Sequence, residues 1–206
     1  MAIVNYSDLK TTIANYLGRS DLTDVIPDFI RLTEVRLARE LRTRQMLKSA
    51  TAPLTSGDAT LALPSDFIEM RDLFLQGNPR QPVTYLSPSA QSRDGRPDDI
   101  GKPLSYTIIG LELKFAPKPD AAYTVEMLYY ARPLYLSDTV TSNVFLAQYS
   151  DALLYGALVQ AEPYLMNDAR IQTWAQLYLN TVELINTSDQ GAEYNGVPLQ
   201  MKLTTQ

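Results

Sequence analysis

The chain has 206 residues, a formal net charge of −5, and neither histidine nor cysteine. Without His it lacks the side chain whose ordinary pKa lies between about 5 and 8, and without Cys it has no thiol nucleophile, disulfide or thiolate metal ligand. Its pI of about 4.8 argues against a protein that grips nucleic acid. We therefore expect a chain that contacts other proteins, has no cofactor or metal, and is not an enzyme.

The N-terminal residues predict two helices. Ser7 is the expected N-cap of the first helix, and Gly18 ends it at a position where glycine is favoured. The second helix is expected over residues 24–46, with Pro27 in its first turn, where a missing N–H costs nothing. Residues at helical spacing form one mainly apolar stripe along this helix. That stripe comprises Ile26, Ile30, Thr33, Leu37 and Leu41.

The opposite face of this second helix mixes apolar and arginine side chains. A lone surface helix normally has one apolar stripe and one polar face, so a second apolar stripe indicates contact on both sides. Either the helix is sandwiched within its own subunit, or this face meets a neighbouring copy or another partner. The candidate subunit-interface residues are Arg31, Val35, Ala38, Arg39 and Arg42.

Charge is distributed unevenly along the chain. Residues 31–48 carry six Lys and Arg against two Glu, whereas residues 145–206 carry six acids against two bases. This polarity matters if copies pack side by side, because surfaces of opposite charge attract one another.

The middle of the sequence predicts an inserted β-rich domain. Proline and glycine recur every few residues between short β-prone runs. Residues 105–109 and 111–115 flank Gly110, which indicates a hairpin, and residues 122–130 are the strongest predicted strand. We expect a small antiparallel sheet or sandwich. One face of the strongest strand carries Tyr123, Val125, Met127 and Tyr129.

Helices return after this region. Asn143 is the expected N-cap of a helix over residues 144–162, which is apolar almost all round and therefore predicted to be buried. Glycine in a helix interior costs about 1 kcal/mol relative to alanine, unless close packing requires it. We therefore predict that Gly156 marks a tight helix crossing. A last helix is expected over residues 168–186.

The C-terminal residues predict an extended docking tail. Residues 187–191 are linker-like, and beyond them apolar side chains alternate with polar ones. Such an arm can add as an edge strand to another chain, and a frayed or self-packed tail is the alternative. The apolar positions, candidates for docking to a partner, are Val197, Leu199, Met201 and Leu203.

Carboxylates are the main remaining source of chemistry. The acidic cluster at residues 94–99 lacks the ligand spacing of an EF-hand, so a solvated loop is expected. Asp66 with Glu69, or Glu112 with Glu126, could pair as acid and base of a hydrolase. That alternative requires a deep pocket that holds paired carboxylates with shifted pKa values. The sequence shows no phosphate loop, nucleophile elbow, membrane span or signal peptide.

Together these elements predict an α+β fold. Two N-terminal helices (1–48) and two C-terminal helices (143–188) form a helical bundle, with a small antiparallel β domain (49–142) inserted between them. An extended tail (189–206) follows.

Four segments stand out in this order of elements: DFIRLTEVRLARELRTR (28–44), LPSDFIE (63–69), YYARPLYLS (129–137) and DALLYGAL (151–158). These segments and the order of elements resemble those of the tailed-bacteriophage head-to-tail adaptors, which form a connector ring beneath the portal. The resemblance covers nearly the whole chain and rests on segment style, with no catalytic signature. It implies a structural virion protein at the head–tail junction, made in the host cytoplasm.

The resemblance also implies a homo-oligomeric ring of twelve copies between the portal protein and the tail nozzle or tube protein. The C-terminal tail would dock on the portal, and DNA would pass through the centre during ejection without sequence recognition. It implies no membrane partner. The alternatives are another phage tail component, such as a tail-completion or fibre-attachment subunit, and a carboxylate-based hydrolase.

Overall fold

The computed structural model describes residues 3–96, 98–165 and 169–194. The chain is of the α+β class, with several helices and small sheets. The helices are α1 (Tyr6–Leu17), α2 (Ile26–Glu40), α3 (Pro88–Asp94), α4 (Val144–Gln148), α5 (Ser150–Gln160), α6 (Glu162–Leu165) and α7 (Arg170–Tyr194). The strands are β1 (Leu47–Leu54), β2 (Thr60–Ala62), β3 (Phe67–Leu75), β4 (Gln81–Pro82), β5 (Thr84–Tyr85), β6 (Ile100–Gly101), β7 (Ser105–Ile109), β8 (Glu112–Ala116), β9 (Lys118–Pro119) and β10 (Tyr123–Ala131).

Contacts divide the chain into two compact units. The helical unit comprises the residues up to Gln45 and those from Pro133 onward. The β unit comprises Met46–Arg132. The helical unit is therefore built from both ends of the sequence, with the β unit inserted between them.

Both ends of α1 have residues that satisfy its free backbone groups. The N-cap is Asn5, whose side-chain oxygen accepts a hydrogen bond from the backbone N–H of Asp8 at 2.9 Å. The predicted cap, Ser7, lies inside the helix, so that prediction was wrong. Gly18 ends α1 as predicted, with a φ of +67° in the left-handed region that glycine adopts without strain.

The second helix, α2, ends at Glu40 and does not reach residue 46. Leu41 has extended backbone angles, φ −104° and ψ 140°. Arg42 Nη1 donates to the carbonyl oxygens of Ala38 and Leu41 at 2.9 and 2.7 Å. Since the last carbonyls of a helix have no partner within the helix, this side chain stabilises the helix end. Pro27 lies in the first turn, as predicted.

Helix α5 is the buried centre of the helical unit, as its apolar sequence predicted. It packs against α1, α2, α4 and α7. A Cβ atom on Gly156 would overlap the side chain of Thr33 on α2 and lie 3.0 Å from the Tyr178 ring on α7. The predicted tight crossing at Gly156 is confirmed. The residues of α5 that are buried are Ala152, Leu153, Leu154, Gly156, Ala157 and Leu158.

The C-terminal helices differ from the predicted bounds in two places. Tyr149, with φ −134° and ψ 44°, interrupts the helix expected over residues 144–162 and separates α4 from α5. Helix α7 continues to Tyr194, so the linker predicted at residues 187–191 was wrong. Asp189 accepts hydrogen bonds from the backbone N–H and Nε of Arg44, each at 3.2 Å. This contact holds the extra turns of α7 against the chain that follows α2.

The β unit contains two four-stranded sheets and one strand pair. The first sheet has the antiparallel order β1-β10-β3-β4, and the second has the order β2-β8-β7-β5. Strand β5 pairs with β7 in parallel, as β6 does with β9. The predicted hairpin is confirmed: β7 and β8 join at Gly110, whose φ is +64°.

The core of the β unit draws on both four-stranded sheets. On β10, Val125, Met127 and Tyr129 are each at most 2% exposed, and Tyr123, the fourth residue of the predicted face, is half-buried against the same core. Leu113 and Phe115 on β8 are fully buried in the same cluster. Burying these apolar side chains stabilises the unit by roughly 1.5–3 kcal/mol for each one.

Candidate functional site

The exposed side of α2 is the strongest candidate surface for contact with another protein. The inward stripe of this helix is buried: Ile26, Ile30, Thr33 and Leu37 are at most 1% exposed. On the other side, Leu32 is 52% exposed, Val35 is half-buried and Arg39 is exposed. We call Leu32, Val35 and Arg39 the α2 face. It combines apolar and cationic side chains, as protein–protein interfaces do.

The structure separates the five predicted interface residues by what they contact. The guanidinium of Arg31 stacks on the Tyr135 ring, and that of Arg42 donates to carbonyls at the end of α2. Ala38 is buried by its own chain, at 8% exposure. Val35 and Arg39 remain on the α2 face. The half-exposed Leu32 joins them, although the sequence-based set left it out.

Glu34 is a buried carboxylate that sequence reasoning missed. It is 1% exposed and accepts hydrogen bonds from the backbone N–H of Leu136, at 3.0 Å, and from Asn143 Nδ2, at 2.6 Å. Burial raises the pKa of Glu34 above its ordinary value, while these two donors act in the opposite direction. The sequence contained one signal for this burial: Glu34 directly follows Thr33, which belongs to the stripe predicted on α2 and is itself buried.

Asn143 extends the Glu34 contact into a network. Its side-chain oxygen accepts from the backbone N–H of Leu146, which confirms its predicted role as the N-cap of α4. Its Nδ2 also donates to the Leu134 carbonyl at 2.8 Å. Because the Glu34 carboxylate and the Asn143 amide are both satisfied, the network orders the segment between Leu134 and Asn143 against α2.

A second polar network joins α7 to α2. The Tyr178 hydroxyl donates to Glu40 Oε2 at 2.6 Å, and Arg36 Nε donates to Glu40 Oε1 at 2.8 Å. The Arg36 guanidinium also lies over the Tyr178 ring. Burial, followed by the hydrogen bond to Glu40, raises the pKa of the Tyr178 phenol well above its ordinary value. The contacts of Arg36 are therefore made within its own chain.

One carboxylate of each candidate acid–base pair, Asp66 and Glu126, has a basic partner in the β unit. Asp66 accepts from Lys48 Nζ at 2.6 Å and from the Tyr129 hydroxyl at 2.9 Å. Partial burial disfavours the ionised carboxylate, but these hydrogen bonds outweigh it and lower the pKa of Asp66. Glu126 forms an ion pair with Arg80 at 3.2 Å. Both oxygens of Asp66 are thus hydrogen-bonded, whereas the second oxygen of Glu126, Oε2, is buried with no hydrogen-bond partner among the described residues.

Two of the cavities in the described part of the chain are large enough to consider as binding sites for a small ligand. A cavity of about 360 Å³ in the helical unit has polar and apolar lining residues, among them Asp151, Asp189 and Leu184. Of its two carboxylates, Asp189 accepts hydrogen bonds from Arg44. A cavity of about 670 Å³ in the β unit is mainly apolar, with Glu69 beside Arg71. Glu69 is the one carboxylate among its described lining residues, so this cavity lacks the paired carboxylates that a glycosidase-like hydrolase requires.

Several expectations concern other parts of the chain. The tail positions Val197, Leu199, Met201 and Leu203 lie outside the described residues. Part of the predicted solvated loop at residues 94–99 belongs to α3, which ends at Asp94. In the described ranges, no three acidic side chains come together as a metal site. Nor does any helix within those ranges have the length and apolarity to cross a membrane.

Comparison with protein families identifies the class of the chain. A family model described as SU10 adaptor protein matches residues 4–201. Since the match covers nearly all of the sequence, the chain belongs to the SU10 adaptor family. It is thus a structural adaptor protein of a phage and a virion component that interacts with other head or tail proteins. The resemblance to head-to-tail adaptors is confirmed. No curated protein matches the chain.

Proposed function

We propose that the chain forms a ring of twelve copies between the portal and the tail, through which DNA passes without being read. The observation that carries this proposal is the adaptor-family match over residues 4–201. The portal protein is the partner on the head side, and the tail nozzle or tube protein is the partner on the other side.

The charge of the chain supports DNA passage. Each copy carries −5, and a channel that must release DNA should not bind phosphates strongly. An acidic surface toward the lumen meets this requirement, because it repels the phosphate backbone.

The α2 face supports contact between copies. The α2 face points away from the buried side of its helix. Arg31 and Arg42, in contrast, contact other groups of the same chain. In the ring, we assign the α2 face to the boundary between neighbouring subunits. Arg39 is the charged residue of this face. Reversing its charge leaves intact the contact of Arg31 with Tyr135 and the contact of Arg42 with the end of α2.

The direct test is native mass spectrometry of the chain mixed with the purified portal ring of the same phage. We expect one species, heavier than the portal ring by twelve chains. If the chain does not bind the portal at all, the proposal is overturned and a more distal tail component becomes the better assignment. A complex with a different number of copies would overturn the ring of twelve.

The C-terminal tail can be tested in the same measurement. Truncation after Tyr194 keeps every described residue of α7 and should abolish portal binding. Replacing Val197, Leu199, Met201 and Leu203 with serine should have the same effect, because the apolar side of an added strand fills the pockets of its partner. The matched control replaces Gln200, Lys202 and Thr204 with alanine. If both substituted tails bind equally well, docking does not use the alternating pattern.

A further inference from the structure

Helix α7 carries a second exposed face in the helical unit. Leu184 is 70% exposed and Leu177 is 37% exposed. They lie about two helical turns apart and therefore share one side of the helix. Asn180 and Glu183, both exposed, lie beside them. We call Leu177, Asn180, Glu183 and Leu184 the α7 face.

The α2 face and the α7 face complement each other in charge. The α2 face has apolar Leu32 and Val35 beside the cation Arg39, whereas the α7 face has apolar Leu177 and Leu184 beside the anion Glu183. The same opposition holds for the surrounding sequence, which is basic over residues 31–48 and acidic over residues 145–206. Charge complementarity across an interface favours the correct partner and orientation.

The spacing of the two faces also matches. Leu32 and Arg39 on α2 are separated by about two turns, as are Leu177 and Leu184 on α7. Two helices can therefore pack side by side over this length, about 10 Å, with apolar side chains at the centre and one ion pair at the edge. An interface core that is apolar and a rim that is charged are the usual arrangement.

We propose that the α7 face is the site that receives the α2 face of the next copy of this chain. This inference rests on the proposed ring and names the two surfaces that meet in it. Because one copy offers two different surfaces, the contact is heterologous, and such contacts propagate from copy to copy until the ring closes. Each copy then gives its α2 face to one neighbour and its α7 face to the other.

Charge reversal tests the pairing of Arg39 with Glu183. We expect Arg39→Glu and Glu183→Arg each to raise the chain concentration that half-saturates the portal ring by about tenfold, because each places like charges at every subunit contact. The double variant R39E/E183R should restore the original concentration. If both single variants saturate the portal ring at the original concentration, the pairing is overturned.

Mixing the two single variants tests that the contact is heterologous. In an alternating ring of R39E and E183R chains, every contact again joins opposite charges, because the two introduced side chains meet at one boundary and the two native side chains meet at the next. We therefore expect an equimolar mixture to saturate the portal ring at nearly the original concentration, although neither variant does so alone. Failure of both the mixture and the double variant would overturn the proposal.

Matched substitutions away from both faces are the controls. Lys102→Glu and Glu112→Arg make the same charge changes at exposed positions of the β unit and should leave saturation unchanged. For the apolar part, Leu184→Ser should weaken assembly, whereas Leu111→Ser, at a residue that is 82% exposed on the β7–β8 turn, should not. If Leu184→Ser has no effect, Leu184 is not part of the contact.

The outcomes separate this inference from the proposed function. If the unsubstituted chain adds twelve copies to the portal and the charge reversals have no effect, the ring stands and the pairing of faces is wrong. If the unsubstituted chain fails to bind the portal, the proposed function is wrong, and with it the ring on which the pairing rests.

Discussion

Gly156 and Thr33 lie so close together that a Cβ atom on Gly156 would overlap the Thr33 methyl group. This contact joins α5 to α2 at the centre of the helical unit, and the Tyr178 ring of α7 closes it from a third side. Interiors packed at this density respond to the addition of a single methyl group. The position of the α2 face therefore depends on a residue without a side chain.

Gly156→Ala should destabilise the helical unit. Overpacking typically costs about 1–3 kcal/mol, and the better helix propensity of alanine offsets about 1 kcal/mol of that cost. The measurement is urea unfolding followed by the fluorescence of Trp174, the only tryptophan in the chain, which lies buried in this unit. Adding Thr33→Ser should recover most of the loss, because serine lacks the methyl group but keeps the hydroxyl that donates to Phe29.

The control for this prediction is Gly191→Ala on α7. No atom lies within 4 Å of a Cβ built there, so alanine should stabilise the helix by about 0.5–1 kcal/mol. Equal effects of the two alanine substitutions would contradict the close packing at Gly156.

Glu34→Gln should change how stability depends on pH. Burial raises the pKa of Glu34, so between its unfolded value, about 4.3, and its folded value the native state holds more protons than the unfolded chain. The free energy of unfolding contributed by this group therefore falls as pH rises through that window. We expect the stability of the wild-type chain minus that of Glu34→Gln to decrease as the pH rises above about 4.3, which urea unfolding of both chains at a series of pH values measures.

Asp66→Asn should show the opposite pH dependence. The pKa of Asp66 is lowered because the hydrogen bonds from Lys48 and Tyr129 outweigh the effect of partial burial. The unfolded chain then holds more protons in the window between the two pKa values, and the stabilising contribution of Asp66 is lost as pH falls. Unfolding of wild type and variant, followed from acid to neutral pH, should give a difference that increases with pH. A difference that does not vary with pH would refute the structural role of the Lys48–Asp66–Tyr129 contacts.

Tyr178→Phe should weaken the junction of α7 with α2. The substitution removes the hydrogen bond to Glu40 and keeps the ring beside Gly156, so we expect a loss of about 1.5–3 kcal/mol, as for hydrogen bonds to a charged group. Trp174 fluorescence during urea unfolding measures this loss. Tyr16→Phe is the matched control, because Tyr16 is 47% exposed. If the two variants lose the same stability, the Tyr178–Glu40 hydrogen bond contributes nothing.

Gly110→Ala should loosen the β7–β8 hairpin. The φ of Gly110 is +64°, a left-handed conformation that costs other residues about 1–2 kcal/mol. Amide hydrogen exchange of β7 and β8 should become faster, and Gly110→Asn should have a smaller effect because asparagine tolerates this conformation. Gly101→Ala is the control, since its Cβ would meet nothing closer than 3.9 Å. Unchanged exchange in Gly110→Ala would contradict the turn geometry.

Sequence reasoning succeeded where a local pattern dictates the structure. Apolar alternation on β10, the glycine at the β7–β8 turn and the apolar run of α5 each depend on neighbours within a few residues. It failed where contacts outside the pattern decide the outcome. The extra turns of α7, which the sequence predicted to be a linker, contact Arg44 from a part of the chain 145 residues away.

The candidate site divides in the same way. The sequence placed Val35 and Arg39 on one side of α2 because helical periodicity alone determines which residues share a face. Periodicity does not say which arginine is already engaged, so the contacts of Arg31 with Tyr135 and of Arg42 with the helix end came only from the structure. Nor does it reveal that Glu34 is buried, because its donors, the Leu136 amide and the Asn143 side chain, are brought to it by the fold.

By itself, then, the sequence determined the α+β class, since composition and local periodicity are sufficient for it. The resemblance to an adaptor rested on four sequence segments and their order. Only the tertiary structure decided which residues of α2 remain exposed and that α7 carries exposed Leu177, Glu183 and Leu184. Exposure and charge pairing depend on what packs against each side chain, and that is a property of the folded chain.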